Sequence, residues 1–174
     1  MSGINQIQMS FVPTEDRILL RMNTVDSAGF QFWLTRRYIK LLWPMLLSML
    51  EKDVQIATQQ SELAKRAMLS FQQHDVVQNM DYSQDFESQA AQPLGDEPIL
   101  LEKIAINDHP GGGQNLCMHP QTGQGIELAL NQTLLHSICK LLQDTVAKTD
   151  WELALSHTLS SPAEITDADS RTIN

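Results

Sequence analysis

Two cysteines, Cys117 and Cys139, are too few to build a disulfide framework in a chain of 174 residues. The opening stretch, MSGINQIQMS, has no basic segment and no apolar run. No secretory signal is therefore expected, and both thiols are expected to be reduced in a cytoplasmic setting. Long hydrophobic runs are absent too. The most apolar stretch, Leu41 to Leu50, carries Pro44 inside it, and it is about half the 20 residues that a membrane-spanning helix needs. Positive charge is scarce: 12 Lys and Arg stand against 21 Asp and Glu, a formal charge of −9. Phosphate backbones and anionic lipid repel such a chain, so neither nucleic acid nor membrane is expected as a partner.

Catalytic signatures are also missing. The sequence has no G-x-x-x-x-G-K-[ST], no G-x-S-x-G, no H-E-x-x-H and no G-x-G-x-x-G opening a helix after a strand. The run His109-Pro-Gly-Gly-Gly113 has the composition of an esterase oxyanion loop, but no nucleophile elbow accompanies it. It is expected to be a turn. Glu102, Asp108 and Glu127 are isolated carboxylates without the second acid that acid–base work requires. No cofactor is expected.

Hydrophobic residues make up 42% of the chain, enough for a core. Charge is unevenly spread. Residues 76–100 hold five acidic and no basic side chains. Residues 81–98 therefore read as an acidic, flexible linker. Residues 156–174 have the same character and read as a disordered tail. Two units remain, residues 1–80 and 99–155.

These units share one pattern. Set GFQFWLTRRYIKLLWPML, from Gly29, over GIELALNQTLLHSICKLL, from Gly125, with no gap. Phe30, Phe32 and Leu34 then meet Ile126, Leu128 and Leu130 in apolar/polar alternation, which predicts a strand with one buried face. Thr35 and Asn131 follow as helix N-caps. The period then changes. Tyr38, Ile39, Leu42, Met45, Leu46 and Leu50 meet Leu134, Leu135, Ile138, Leu141, Leu142 and Val146, one face of a helix. Upstream, Leu20 and Met22 meet Leu116 and Met118 on a second strand. A first strand from Ile7 matches a segment from Glu102, with the register open by one or two residues.

The expected fold is thus α+β: duplicated β-β-β-α units with antiparallel sheets, each covered by a helix. The first helix is expected to continue to Gln73, kinked at Pro44, or to break in the weakly apolar stretch Glu51–Glu62. Trp151–Leu155 alternates like a short extra strand.

The strings Glu15-Asp-Arg-Ile-Leu-Leu-Arg21 and Trp33-Leu-Thr-Arg-Arg37 resemble an uncharacterised bacterial family with E-D-R-x-L-L-R and W-L-T-R-R motifs. The resemblance spans roughly the first 45 residues. It implies a bacterial, cytoplasmic setting and no particular activity.

Two constellations remain. In the first unit, Arg17, Arg21 and Trp33 fall on the strand faces opposite the core positions, and Arg36 and Arg37 open the helix. Cations there oppose the helix dipole by about 0.3–1 kcal/mol each and call for an anion. Trp and Arg are also enriched where proteins meet. The surface is expected to bind a protein partner, or a second copy, through an acidic segment. Local pairing with Glu15 or Asp16, or burial of Trp33, is the competing expectation.

In the second unit, Cys117-x-His119 and His136-x-x-Cys139 could supply four tetrahedral zinc ligands. This would make the protein a metal-dependent enzyme or regulator. Against it, Cys117 and His119 have the parity of the outward face. The first unit also carries Arg21, Asn23, Lys40 and Trp43 at the matching positions. The bland alternative is a packed Cys139 with solvent-exposed histidines. The preferred reading is a non-enzymatic binding or assembly protein.

Overall fold

The computed structural model describes residues 3–79, 85–87, 91–109 and 113–156. The expected disordered tail lies outside the described residues apart from Ser156, as do residues 80–84 and 88–90 in and beside the linker. The first unit forms β1 (Ile4–Val12), β2 (Arg17–Thr24), β3 (Gly29–Leu34) and α1 (Arg36–Glu51). Two further helices follow, α2 (Val54–Ala57) and α3 (Glu62–Gln78). The second unit begins with β4 (Ile99–Leu100) and continues with β5 (Lys103–Asp108), β6 (Gln114–His119), β7 (Ile126–Ala129) and α4 (Gln132–Val146). The fold is α+β, with one sheet ordered β1-β2-β3-β4 and the other β5-β6-β7.

The two units repeat each other in register. Leu20 faces Phe32 and Met22 faces Phe30 in the first hairpin. Leu116 faces Leu128 and Met118 faces Ile126 in the second, each number larger by 96. The helix caps keep the same spacing. Thr35 Oγ1 accepts from Tyr38 N at 3.2 Å, and Asn131 Oδ1 accepts from Leu134 N at 2.8 Å.

The first strands settle the open register. Ile7 and Met9 face Met22 and Leu20, while Ile104 and Ile106 face Met118 and Leu116. Ile7 therefore corresponds to Ile104 rather than to Glu102. The cause is the turn. Val12 pairs with Arg17 across four residues, whereas His109 N donates to Gly113 O across three.

Both units feed one hydrophobic core. α1 packs against α4, and each helix also approaches a strand of the other unit, α1 at β5 and α4 at β1. Tyr38 of α1 donates its hydroxyl to Lys103 O of β5 at 3.4 Å. Helix α1 buries Tyr38, Ile39, Leu42, Trp43, Leu46, Leu47, Met49 and Leu50. Each contributes about 1.5–3 kcal/mol. Four of them outweigh both Pro44, at about 3 kcal/mol, and the dipole cost of Arg36 and Arg37, below about 2 kcal/mol together. Pro44 is exposed, inside the helix.

The long apolar stripe beyond Glu51 is divided rather than continuous. Asp53 caps α2 by accepting from Gln55 N, and Ser61 caps α3 by accepting from Ala64 N. Two capping residues within a weakly apolar stretch favour fresh helix starts over propagation. The segment after α4 is not a strand. Trp151 is buried, and the carbonyls of Leu155 and Ser156 accept from the Gln143 and Trp43 side chains at 2.8 Å each.

Candidate functional site

Sheet alternation sorts the side chains of the first sheet onto two faces. Ile7, Met9, Ile18, Leu20, Met22, Phe30, Phe32 and Leu34 line the core side. The outer face carries three rows across the strands. Gln6 aligns with Asn23 and Gly29; Gln8 aligns with Arg21 and Gln31; Ser10 aligns with Leu19 and Trp33. Leu100 of β4 extends the last row beyond Trp33.

Described parts of the linker lie over the first two rows. Gln6 Nε2 donates to Asp85 O at 3.2 Å, and Glu87 N donates back to Gln6 Oε1 at 3.1 Å. Gln31 Nε2 donates to Gln92 Oε1 and to Asp96 O at 3.1 and 3.3 Å. Arg21 belongs to this covered region. Its guanidinium donates to Gln8 Oε1 and stacks over the Phe86 ring, 5.0 Å from the centroid. A cavity of about 60 Å³ lies there, lined by Arg21, Asn23, Gln31, Phe86 and Gln92 among others. Arg21 Nε and Asn23 Oδ1 are buried without a hydrogen-bond partner among the described residues.

The third row is different. Leu19, Trp33 and Leu100 are half-buried and adjacent, an apolar band across three strands. Arg17 stands at the start of β2 and pairs with Glu15 at 3.8 Å, half-exposed. Trp33 Cα lies three residues before Arg36, where the chain turns into α1. Arg36 and Arg37 are exposed at the helix start, and the first turn holds no acidic residue. Neither arginine has an ion pair among the described residues.

Arg37 also lines a cleft of about 490 Å³ at the seam between the units. Its walls include Tyr38, Leu41, Leu100, Leu101, Lys103 and the carboxylate-bearing Glu102. Leu41 is 45% exposed at its rim. The volume lies within the range of ligand clefts, about 300–1,000 Å³. Burial raises the Tyr38 hydroxyl pKa above the ordinary tyrosine value, so it stays a hydrogen-bond donor.

Five residues were singled out in the first unit, and they divide into two groups. Trp33, Arg36 and Arg37 gather at one end of β3, with Arg17 two residues from Leu19 on the neighbouring strand. Arg21 is held under the linker. Sequence reasoning missed Leu100, Leu101 and Lys103, which enter through the parallel pairing of β4 to β3. A two-residue strand leaves no periodic signal.

The second-unit cluster does not assemble. Cys117 lies on the outer face of β6, buried, and accepts from Asn107 Nδ2 at 3.2 Å. Burial, and then the Glu127 carboxylate, push its thiol pKa up. His119 is exposed at the end of β6. His136 and Cys139 sit on α4 facing the protein interior, both buried. Among the described residues, no group of three His, Cys, Asp or Glu side chains could hold a metal ion. Burial pushes the Cys139 thiol up to about 12, and Cys139 occupies the α4 position that Trp43 holds on α1. His136, expected to be exposed, is covered by α3. Its Nε2 lies 3.2 Å from Gln72 Oε1.

Among the described residues, no helix is long and apolar enough to cross a membrane. Compared with known protein families, curated proteins and solved structures, the chain matches none.

Proposed function

We propose that this is a non-enzymatic binding or assembly protein that takes an acidic segment of a protein partner on the first unit. The segment lies along Leu19, Trp33 and Leu100, with its carboxylates on Arg36, Arg37 and Lys103. One observation carries the reading: Arg36 and Arg37, exposed and without an ion pair among the described residues, closely follow the half-buried Trp33, and Arg37 lines the open cleft. The second unit, with the same backbone, places Asn115, Ala129, Gln132 and Thr133 at the positions of Leu19, Trp33, Arg36 and Arg37. Folding the unit thus does not demand the charge or the tryptophan. Arginine and tryptophan together are the side chains that dominate interface energetics. The resemblance of the E-D-R-x-L-L-R and W-L-T-R-R strings supports a bacterial cytoplasmic setting.

The test is a triple variant, Trp33→Ala with Arg36→Glu and Arg37→Glu. Its secondary structure is checked by circular dichroism, its mass by light scattering and its partners by affinity capture. Loss of a captured partner, or a smaller assembly, with the fold retained supports the proposal. Unchanged partners and mass refute it.

A further inference from the structure

The two units differ at one backbone edge. In the first sheet the outer edge of β3 is occupied. Trp33 O accepts from Leu101 N at 3.1 Å, Gly29 N donates to Ala91 O at 2.7 Å, and Ile99 and Leu100 run parallel to Phe32 and Trp33. Residues 29, 31 and 33 therefore present their backbone groups to that edge. The register places Glu127 and Ala129 of β7, with Gly125 just before the strand, at the same positions. Among the described residues, β7 is paired only to β6, and its outer edge makes no backbone hydrogen bond. The strand is nonetheless fixed, because Ile126 and Leu128 are buried in the core.

We infer that the outer edge of β7 is a docking slot for an extended segment of a partner protein, added parallel to β7 as β4 is to β3. The slot is on the second unit and is independent of the Trp33 surface. The first unit shows the chemistry that fits. Ile99, Leu100 and Leu101 fill the equivalent place, and Leu101 is 1% exposed. The partner segment therefore carries consecutive aliphatic residues, with backbone hydrogen bonds supplying affinity and side-chain pockets supplying choice. Charge adds a second requirement. Glu127 replaces Gln31, is exposed, and accepts from Asn115 Nδ2 on Oε1 at 2.7 Å. Its second carboxylate oxygen has no partner among the described residues. The occupant thus bears a Lys or Arg just before its first aliphatic residue, where the first unit has Pro98 beside Gln31.

The probe is an eight-residue peptide copying Asp96 to Lys103 with lysine in place of Pro98. It is titrated into the isotope-labelled full chain, and amide hydrogen exchange is followed by NMR. We expect binding on the order of 1 mM or tighter. Exchange at the Glu127 and Ala129 amides should slow by roughly tenfold or more at saturation. Glu127→Pro removes one outward N–H and leaves the ladder to β6 intact, since proline is tolerated on edge strands. It should abolish binding, and Glu127→Gln should weaken it. Peptide shifts confined to the first sheet, or binding undiminished by Glu127→Pro, would overturn the inference. So would Glu127 and Ala129 amides already protected in the chain alone. Protection that grows with protein concentration would give the edge to a second copy instead. The wild-type exchange map decides the matter even if Glu127→Pro does not fold.

Discussion

Trp151 donates its indole N–H to the Asp16 carboxylate at 2.6 Å, joining the segment after α4 to the first turn of the chain. Asp16 adopts φ 49, a left-handed conformation that aspartate tolerates better than most residues. The indole is 2% exposed and meets the Phe11 ring edge-on, with centroids 5.7 Å apart. Trp151→Phe keeps a ring and loses the hydrogen bond to a carboxylate, and should cost about 1.5–3 kcal/mol. Trp151→Ala also opens a cavity and should cost about 3–5 kcal/mol. Urea denaturation measures both. Equal midpoints for the two variants would show that the ring packing between the units is idle.

Thr35 and Asn131 cap α1 and α4 in the same way at equivalent positions. Thr35→Ala and Asn131→Ala should each destabilise by about 1 kcal/mol. The two sites share no partner, so the double variant should lose the sum. A double variant no less stable than the singles would place the caps in one coupled network.

Gly125 immediately precedes β7, where the backbone runs against the end of β6. A Cβ there would collide with the Met118 carbonyl oxygen and the His119 ring. The histidine can swing away, but the carbonyl belongs to the β6–β7 ladder and cannot. Gly125→Ala should therefore destabilise the protein by about 1–3 kcal/mol. Gly95 is the control: its φ is 100 with no atom within 4 Å of an added Cβ, so Gly95→Ala tests backbone conformation alone. A thermal melt in which Gly125→Ala matches wild type would contradict the close approach.

Burial raises the Cys139 thiol to about 12 and raises the Tyr38 hydroxyl as well. Below about pH 9, the ordinary thiol value, folded and unfolded chains are both protonated at these groups and stability is level. Above it the unfolded chain releases protons that the folded chain keeps. Stability should then fall as the pH rises toward 12. Urea midpoints across this window check the slope, and Cys139→Ala should flatten it in part. A native thiol that reacts rapidly with Ellman's reagent near pH 8 would contradict its burial.

Much of the fold was legible because two periods alternate cleanly in both units. Phe30, Phe32 and Leu34 step by two, then Tyr38, Ile39, Leu42 and Leu46 step by helical turns. What periodicity cannot carry is which element covers which. Nothing in the spacing of Leu135 and Ile138 says that α4 approaches β1 of the other unit. His136 looked exposed because the covering helix, α3, had no fixed place in the sequence reading. Leu153 and Leu155 alternate like a strand, yet side chains rather than a neighbouring strand take up the carbonyls of Leu155 and Ser156. At the candidate site, Trp33, Arg36 and Arg37 were legible from parity and from helix-start position. Leu100 and Lys103 were not, because a long-range parallel contact brings them there.

The internal repeat supplies the sharpest measurement. Arg36→Glu with Arg37→Glu in the first unit is compared with Gln132→Glu and Thr133→Glu at the equivalent positions of the second. Glutamates near a helix N-terminus are favoured by about 0.3–1 kcal/mol each, so both variants should fold. Partner capture is quantified for each against wild type, alongside molecular mass by light scattering. The first-unit variant should lose the partner or the assembly, and the second-unit variant should keep it. Equal losses, or none in either, would contradict a binding surface built on Trp33, Arg36 and Arg37.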